Sequence, residues 1–249
     1  MNQINTAKVA KSFAKARHTY KENAIIQKQM RYALIKMLKK YGQIYFENVF
    51  EFGVGNGDFS EVLQASIKYK TYTINDINPP FLHKDLDKNP HFDSIEIFDM
   101  NELETHRIFA QKFDLIASNA CLQWLDTHRI LRLLSIILKP NGILLLSTFG
   151  EQNLCELANI ASISLRYAST NEIKTTLENA CEVLDLKDEV QTLDFGTSLE
   201  VFRHLQKSGA NALSTHKNTL NKSLLKAYQA RFGGNITYHS IYILARKKA

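Results

Sequence analysis

Residues Val49–Asp58 read VFEFGVGNGD: two apolar residues, an acid, another apolar residue, then glycines at 53, 55 and 57. An apolar run that ends in such a turn is expected to be a strand delivering a ligand-binding loop, because glycine turns the backbone at positive φ and lets a ligand approach without a Cβ in the way. Three of the ten glycines fall within five residues; an ordinary strand-to-helix turn uses one. The dinucleotide fingerprint is G-x-G-x-x-G. Here the third glycine comes one place early, and Glu51 stands two residues before the first. A carboxylate so placed suits a ligand bearing an ammonium better than it suits a pyrophosphate.

The spacing of Glu51, Gly53, Gly55 and Gly57 resembles motif I of the Rossmann-like, class I S-adenosylmethionine methyltransferases. The segments downstream support this. Thr71–Ile74 is a β-prone run ending in Asn75-Asp76-Ile77, so Asp76 falls about 20 residues beyond the loop, where an acid at a strand tip accepts ribose hydroxyls. Ser94–Phe98 forms a third apolar stretch before Asp99-Met100. Phe113–Ser118 forms a fourth, ending at Asn119, and Gly142–Thr148 a fifth, entered through the turn Lys139-Pro140-Asn141-Gly142. The resemblance implies that Asp99 meets the adenine amine and Met100 covers the ring. The implied cofactor set is Glu51, Gly53, Gly55, Gly57, Asp76, Ile77, Asp99, Met100 and Asn119, for S-adenosylmethionine and its product S-adenosylhomocysteine.

At 249 residues and 45 % hydrophobic, the chain can bury a substantial core, and strands alternating with helical runs predict an α/β fold. Beyond the fifth strand the sequence predicts a helix over 152–163 and another opened by the capping-box spacing Ser169-Thr170-Asn171-Glu172. A sixth strand ends near Leu193-Asp194-Phe195. Helices follow at Ser198–Lys207, closed by Gly209, and at Lys222–Phe232, before a last strand at Ile236–Ala245. The expected architecture is a Rossmann-like, seven-stranded, mostly parallel sheet with helices on both faces. One methyltransferase domain, 1–249, then comprises an N-terminal helical cap (1–40), a cofactor-binding core (45–150) and a substrate-cap insert (197–232). The cleft opens at the carboxyl ends of the strands, so the cap and the insert should choose the substrate.

No apolar run approaches the ~20 residues of a membrane span, and Met1–Tyr20 lacks the apolar stretch of a secretory signal, so a cytoplasmic protein is expected. Cys121, Cys155 and Cys181 form no CxxC or Cys/His cluster; they are expected to be buried free thiols, with no metal. Charge is uneven. Residues 1–40 hold ten Lys/Arg and one acid (+9), whereas the remainder holds 21 basic and 24 acidic residues (−3). Val9, Phe13, Ala16 and Tyr20 recur at helical spacing, as do Ile26, Met30, Ala33 and Met37, which predicts amphipathic helices with basic outer faces. Such faces suit solvent or an anionic partner.

A narrower resemblance spans about Val9 to the C-terminus. Phe13-Ala14-Lys15-Ala16-Arg17-His18-Thr19-Tyr20 with Ala24 and Gln27 is similar to the N-terminal signature F-x-R-A-A-x-x-Y-x-x-x-A-x-x-Q of the malonyl-acyl-carrier-protein O-methyltransferases of biotin synthesis. Asn119-Ala120-Cys121-Leu122-Gln123-Trp124 matches that family's N-x-x-x-Q-W. Ser147-Thr148-Phe149-Gly150, Asn153-Leu154, Glu156-Leu157, Phe202-Arg203-His204-Leu205, Gly209-Ala210 and Ile236-Thr237-Tyr238 follow in the family's order. Two departures stand out: Lys15 replaces a frequent arginine, and Gln206 replaces a frequent lysine, with Lys207 one place on.

The resemblance implies methyl transfer to a malonyl carboxylate, with Arg203, Gln123 and Arg17 as substrate contacts and Tyr20 closing over the methyl. The implied partner is an acyl carrier protein bearing a malonyl group, docked on the basic N-terminus; a monomer, without nucleic acid or membrane, is expected. A quinone or small-acid methyltransferase and a non-catalytic cofactor-binding partner protein are the alternatives. With no base needed, His18, His204, His216 and His239 are assigned to surface or packing. Trp124 is assigned to the core.

Overall fold

The computed structural model describes residues 5–79, 91–161, 165–210 and 222–249; His216 lies outside them. The helical N-terminus is three helices, α1 (Thr6–Ala16), α2 (Tyr20–Asn23) and α3 (Ile25–Tyr41). The stripe from Val9 to Tyr20 is therefore interrupted. The chain turns at Thr19, whose N–H and hydroxyl both donate to the Ala16 carbonyl, at 2.8 and 3.1 Å. Gly42, at φ 90°, ends α3 in the left-handed conformation that favours glycine.

The sheet follows as β1 (Tyr45–Phe52), α4 (Asp58–Gln64), β2 (Lys68–Asp76), β3 (Ser94–Ile97), β4 (Phe113–Asn119), α5 (Thr127–Ile137), β5 (Leu138–Phe149), α6 (Cys155–Ala161), α7 (Thr170–Glu178), β6 (Cys181–Asp194), α8 (Ser198–Lys207), α9 (Lys222–Phe232) and β7 (Asn235–Lys247). Seven strands lie in the order β3-β2-β1-β4-β5-β7-β6. The first five in sequence pair in parallel, and β7 runs antiparallel between β5 and β6. The expected seven-stranded, mostly parallel sheet is the one observed.

Burial explains the pattern. The ends of β1 and β2 and most of β4 and β5 are buried on both faces, because helices cover both sides. One core includes Met30, Leu34 and Leu38 of α3, Leu63 of α4 and Tyr228 of α9. The opposite core packs Ile130, Leu131 and Leu134 of α5 and Ile173 and Leu177 of α7 against Phe50, Ile116 and Leu144. The capping box at Ser169–Glu172 is formed. The helix predicted to begin at Gln152 begins at Cys155. Leu154 before it adopts φ 54°, and its N–H donates to the Thr237 carbonyl of β7 at 2.7 Å, so this stretch is held to the sheet instead of entering the helix. Strand order reverses between β1 and β4, and the crevice for a ligand lies at that switch point, over the strand tips.

Candidate active site

A cavity of about 260 Å³ occupies that crevice. Its floor is the glycine loop. Gly53, at φ 68°, donates its N–H to the Asn75 carbonyl at 2.8 Å, and a Cβ there would sit 2.4 Å from Cys121 Sγ. Gly55, at φ 57°, has nothing within 4 Å of a built Cβ; its open side is space into which a ligand can come against bare backbone. Gly57 does not line the cavity. At φ 77° it precedes α4 and closes the turn by donating its N–H to the Val54 carbonyl at 3.0 Å.

Asp76 stands at the tip of β2. One carboxylate oxygen accepts the Gly55 N–H at 2.8 Å and the other the Asn78 N–H at 2.9 Å. Burial pushes its carboxyl above the usual range, and these backbone donors pull it back. Ile77, Asp99, Met100 and Asn119 also line the cavity, with Phe98. Phe98 is stacked on His106 with ring centroids 3.8 Å apart. Asn119 Oδ1 accepts the Ser147 hydroxyl at 2.8 Å, while its Nδ2 donates to the Gln27 carbonyl at 3.1 Å, joining β4 to α3.

Glu51 requires correction. It is 1 % exposed and does not reach the cavity. Its carboxylate accepts the Tyr72 hydroxyl at 2.5 Å beneath the sheet tip, and burial pushes its pKa up to about 7 against that hydrogen bond. An acid held this way supports the floor from beneath and does not line the cavity where a ligand's ammonium was expected to meet it.

The cap supplies the opposite wall: Val9, Phe13, Arg17, Tyr20, Gln27 and Arg31. Asn78 Nδ2 donates to the Ala10 carbonyl at 3.0 Å and Asn56 Nδ2 to the Arg17 carbonyl at 3.1 Å, tying α1 and the turn after it to the strand tips. Burial pushes the Tyr20 hydroxyl far above its ordinary value, so it stays a neutral donor. Arg17 is exposed and lines the cavity, whereas Lys15 does not line it.

A second, smaller chamber of about 20 Å³ adjoins the first and shares Phe13, Tyr20, Gln27, Ala120 and Trp124 with it. Gln123, Asn153, Tyr167, Ser208 and Tyr238 supply its polar lining. Gln123 donates to the Ala120 carbonyl at 2.6 Å and accepts the Thr148 hydroxyl at 3.3 Å. Phe13 meets Trp124 edge-on at 5.7 Å and Tyr20 at 6.1 Å, forming the partition between the chambers.

Arg203 lines neither chamber. Helix α8 buries Val201, His204 and Leu205, which turns the Arg203 side chain outward, 55 % exposed and ion-paired to Glu200 at 2.5 Å. This places it away from the chambers, where its contact with a substrate carboxylate was expected. Trp124, in the core as expected, and Cys121, expected to be buried and found half-buried, both also line the main cavity, and the Trp124 indole N–H has no acceptor among the described residues. His204 and His239 are packing residues, each hydrogen-bonded: His204 to the Tyr238 hydroxyl at 2.7 Å, His239 to Asp188 at 3.0 Å.

Sequence reasoning missed Arg31 and Asp58, counting the first among the basic outer faces open to solvent or an anionic partner. The available signal was position: Arg31, Leu34, Ile35 and Leu38 share one stripe of α3, and a cation on an apolar stripe is the exception that marks a site. Among the described residues no group of three or more His, Cys, Asp or Glu could hold a metal, and no helix is long and apolar enough to cross a membrane.

Residues 50–144 match the family model described as "Methyltransferase domain". The chain is 30 % identical over 95 % of its length to a protein of Calditerrivibrio nitroreducens and 31 % identical over 99 % of its length to one of Haemophilus influenzae. Both are named malonyl-(acyl-carrier protein) O-methyltransferase, and the matches cover 95 % and 96 % of those proteins. Among solved structures, the YcgJ protein of Bacillus subtilis is similar with a TM-score of 0.58 at 14 % identity, over 88 % of this chain and 99 % of that one. The N-methyltransferase NodS of Bradyrhizobium japonicum, in complex with S-adenosylhomocysteine, is similar with a TM-score of 0.51 at 13 % identity, over 93 % and 99 %. At such identities the likeness is one of fold.

Proposed function

The chain belongs to the family of malonyl-acyl-carrier-protein O-methyltransferases, and we propose that it methylates the free carboxylate of a malonyl group borne on acyl carrier protein. The product is the malonyl methyl ester from which pimeloyl synthesis for biotin begins. The observation that carries this reading is the pair of adjoining chambers, one floored by bare glycine backbone and one lined by hydroxyls and amides, meeting at Phe13, Tyr20 and Trp124. S-adenosylmethionine, when bound, supplies an electrophilic methyl group. The cavity fits it: open backbone at Gly55, a carboxylate at the β2 tip and an apolar slot beside Phe98 and Met100.

Gly53 and Gly55 present backbone to the ligand's tail, Asp76 takes the ribose, Ile77, Asp99 and Met100 hold the adenine, and Asn119 fixes the α3 side of the cavity. The malonyl carboxylate, with a pKa near ~4, is ionised at neutral pH, so no side chain need remove a proton. What remains is alignment and exclusion of water. Tyr20, kept protonated by burial, donates a hydrogen bond at the junction, Gln123 serves the second chamber, and Arg17 guides the anionic acceptor at the cap. The acyl carrier protein docks on the basic face of α1 and α3, and the enzyme works as a cytoplasmic monomer.

The test is to incubate malonyl-acyl carrier protein, S-adenosylmethionine and the enzyme, then weigh the carrier. A gain of one methylene on the malonyl group is expected. Turnover of the cofactor on quinones or free small acids, with the carrier unchanged, would overturn the reading.

A further inference from the structure

We propose that Arg31 is the carboxylate-binding cation of the cavity, with Asp58 as the residue that positions its guanidinium; the carboxylate is the one on the cofactor's methionine end or the one on the malonyl acceptor. The proposal rests on the functional reading above. Arg31 and Asp58 are 7 % and 8 % exposed, and both line the cavity. A buried Arg–carboxylate pair ordinarily closes into a fork of short, charge-assisted hydrogen bonds. This one does not. Its approach is 3.6 Å, from Nη1 to Oδ2, and Arg31 Nε and Asp58 Oδ2 have no hydrogen bond among the described residues.

Two desolvated charges without their hydrogen bonds are costly to hold, and a ligand carboxylate on the guanidinium supplies what is missing. Asp58 is supported independently: Lys21, half exposed, lies 4.0 Å from its other oxygen. Asp58 immediately follows the glycine turn, so Arg31, 3.6 Å from it, stands at the far end of that turn. Arg17, the other arginine of the cavity wall, is exposed, and Arg203 and Lys15 are outside. A carboxylate taken out of water here without a cation would be strongly disfavoured, and Arg31 is the buried cation the cavity offers it.

The experiment compares wild type, Arg31→Met and Arg31→Met/Asp58→Asn by calorimetry with S-adenosylhomocysteine and with its decarboxylated analogue, and by steady-state kinetics with malonyl-acyl carrier protein. The double variant leaves no stranded buried acid, and thermal unfolding establishes that both variants are folded. If the cofactor's carboxylate is the ligand, S-adenosylhomocysteine binds roughly 10- to 100-fold more weakly to the variants while the decarboxylated analogue is unaffected. If it is the acceptor's, S-adenosylhomocysteine binding is unchanged and KM for the malonyl carrier rises by a similar factor. Equal losses for both adenosyl ligands, or no loss in either measurement, overturn the proposal. Calorimetry needs no turnover. A chain that binds S-adenosylhomocysteine through Arg31 but leaves malonyl carrier unmethylated refutes the function and keeps this site, and where no methylation occurs calorimetry alone decides.

Discussion

The two walls of the cavity are made of different material. The strand-tip wall is backbone: Gly53 and Gly55 donate their N–H groups to Asn75 and Asp76, and the Asn75 side chain ties β2 to β3 by donating to the carbonyls of Glu96 and Phe98 at 3.1 and 3.0 Å. The cap wall is side chains, Phe13, Tyr20 and Arg31, carried on helices that touch the tips through a few long-range hydrogen bonds such as Asn78 to Ala10 and Asn56 to Arg17. A wall of backbone dictates residue types. A wall of side chains dictates only which face of a helix is turned inward, and many sequences can do that.

The largest effects should come from the backbone wall. Gly55→Val places a side chain in the open ligand volume and forces positive φ on a β-branched residue, a strain of about 1–2 kcal/mol. Titration calorimetry should show cofactor affinity reduced by more than about 100-fold in a protein that still unfolds cooperatively. Gly53→Ala should differ, because its Cβ meets Cys121 at 2.4 Å; here the thermal midpoint falls as well. If both glycines lose binding alone, the packing distinction between them is wrong.

On the cap wall, Tyr20→Phe removes one neutral donor and no volume. Cofactor affinity should stay near wild type while kcat falls by roughly 10-fold, the worth of one hydrogen bond to a charged partner. A kcat equal to wild type would show that the hydroxyl serves packing only.

The contrast between the walls also sets what could be read in advance. The glycine turn and the strand succession were legible because turns and strand tips require particular residues at fixed spacing; Asp76 and Asp99 line the cavity there, Asp99 having been expected from the family resemblance alone. Glu51 was misread for a definable reason: its position in the motif is right, but strand alternation points the side chain down onto Tyr72, and sequence does not reveal which partner waits there. Arg203 was expected at the cleft from the family resemblance of its helix, which does not fix the helix's phase; Val201, His204 and Leu205 take the buried face. Arg31 was missed because charge count looks alike whether a helix face meets solvent or a cavity, whereas Trp124 belongs to the core as expected and also lines the cavity.

Two buried groups behind the walls, Glu51 and His204, titrate with opposite signs. Burial lowers His204 of the insert helix α8 to about 4, against about 6.5 unfolded. Its contribution to stability is complete above pH 6.5 and is lost as pH falls toward 4. Glu51, raised to about 7 from 4.5, has the opposite sign: its contribution is complete below pH 4.5 and is lost as pH rises through 7. Between pH 4.5 and 6.5 the two slopes oppose one another. Relative to wild type, Glu51→Gln should gain about 2–3 kcal/mol of stability across that window as pH rises, and His204→Gln should lose a similar amount. Urea midpoints at pH 4.5 and 6.5 measure this, and variants that run parallel to wild type would remove both assignments.

The smallest effect should come from outside both walls, on the basic face of α1. Lys11 and Lys15 are exposed and Lys8 is half-buried; Lys15 lines neither chamber. They stand on the helix that supplies Phe13, so an acidic partner seated there lies next to the partition between the chambers. Surface charges act at a distance through a screened field and change encounter more than chemistry. Charge reversal at Lys8, Lys11 and Lys15 should therefore raise KM for the carrier-bound substrate several-fold at low salt, leave kcat unchanged, and lose its effect as ionic strength increases. A short malonyl thioester lacks the carrier's charge and should be turned over as by wild type. Equal increases for both substrates, or an increase indifferent to salt, would mean that the lysines shape the cap wall itself and that carrier protein docks elsewhere.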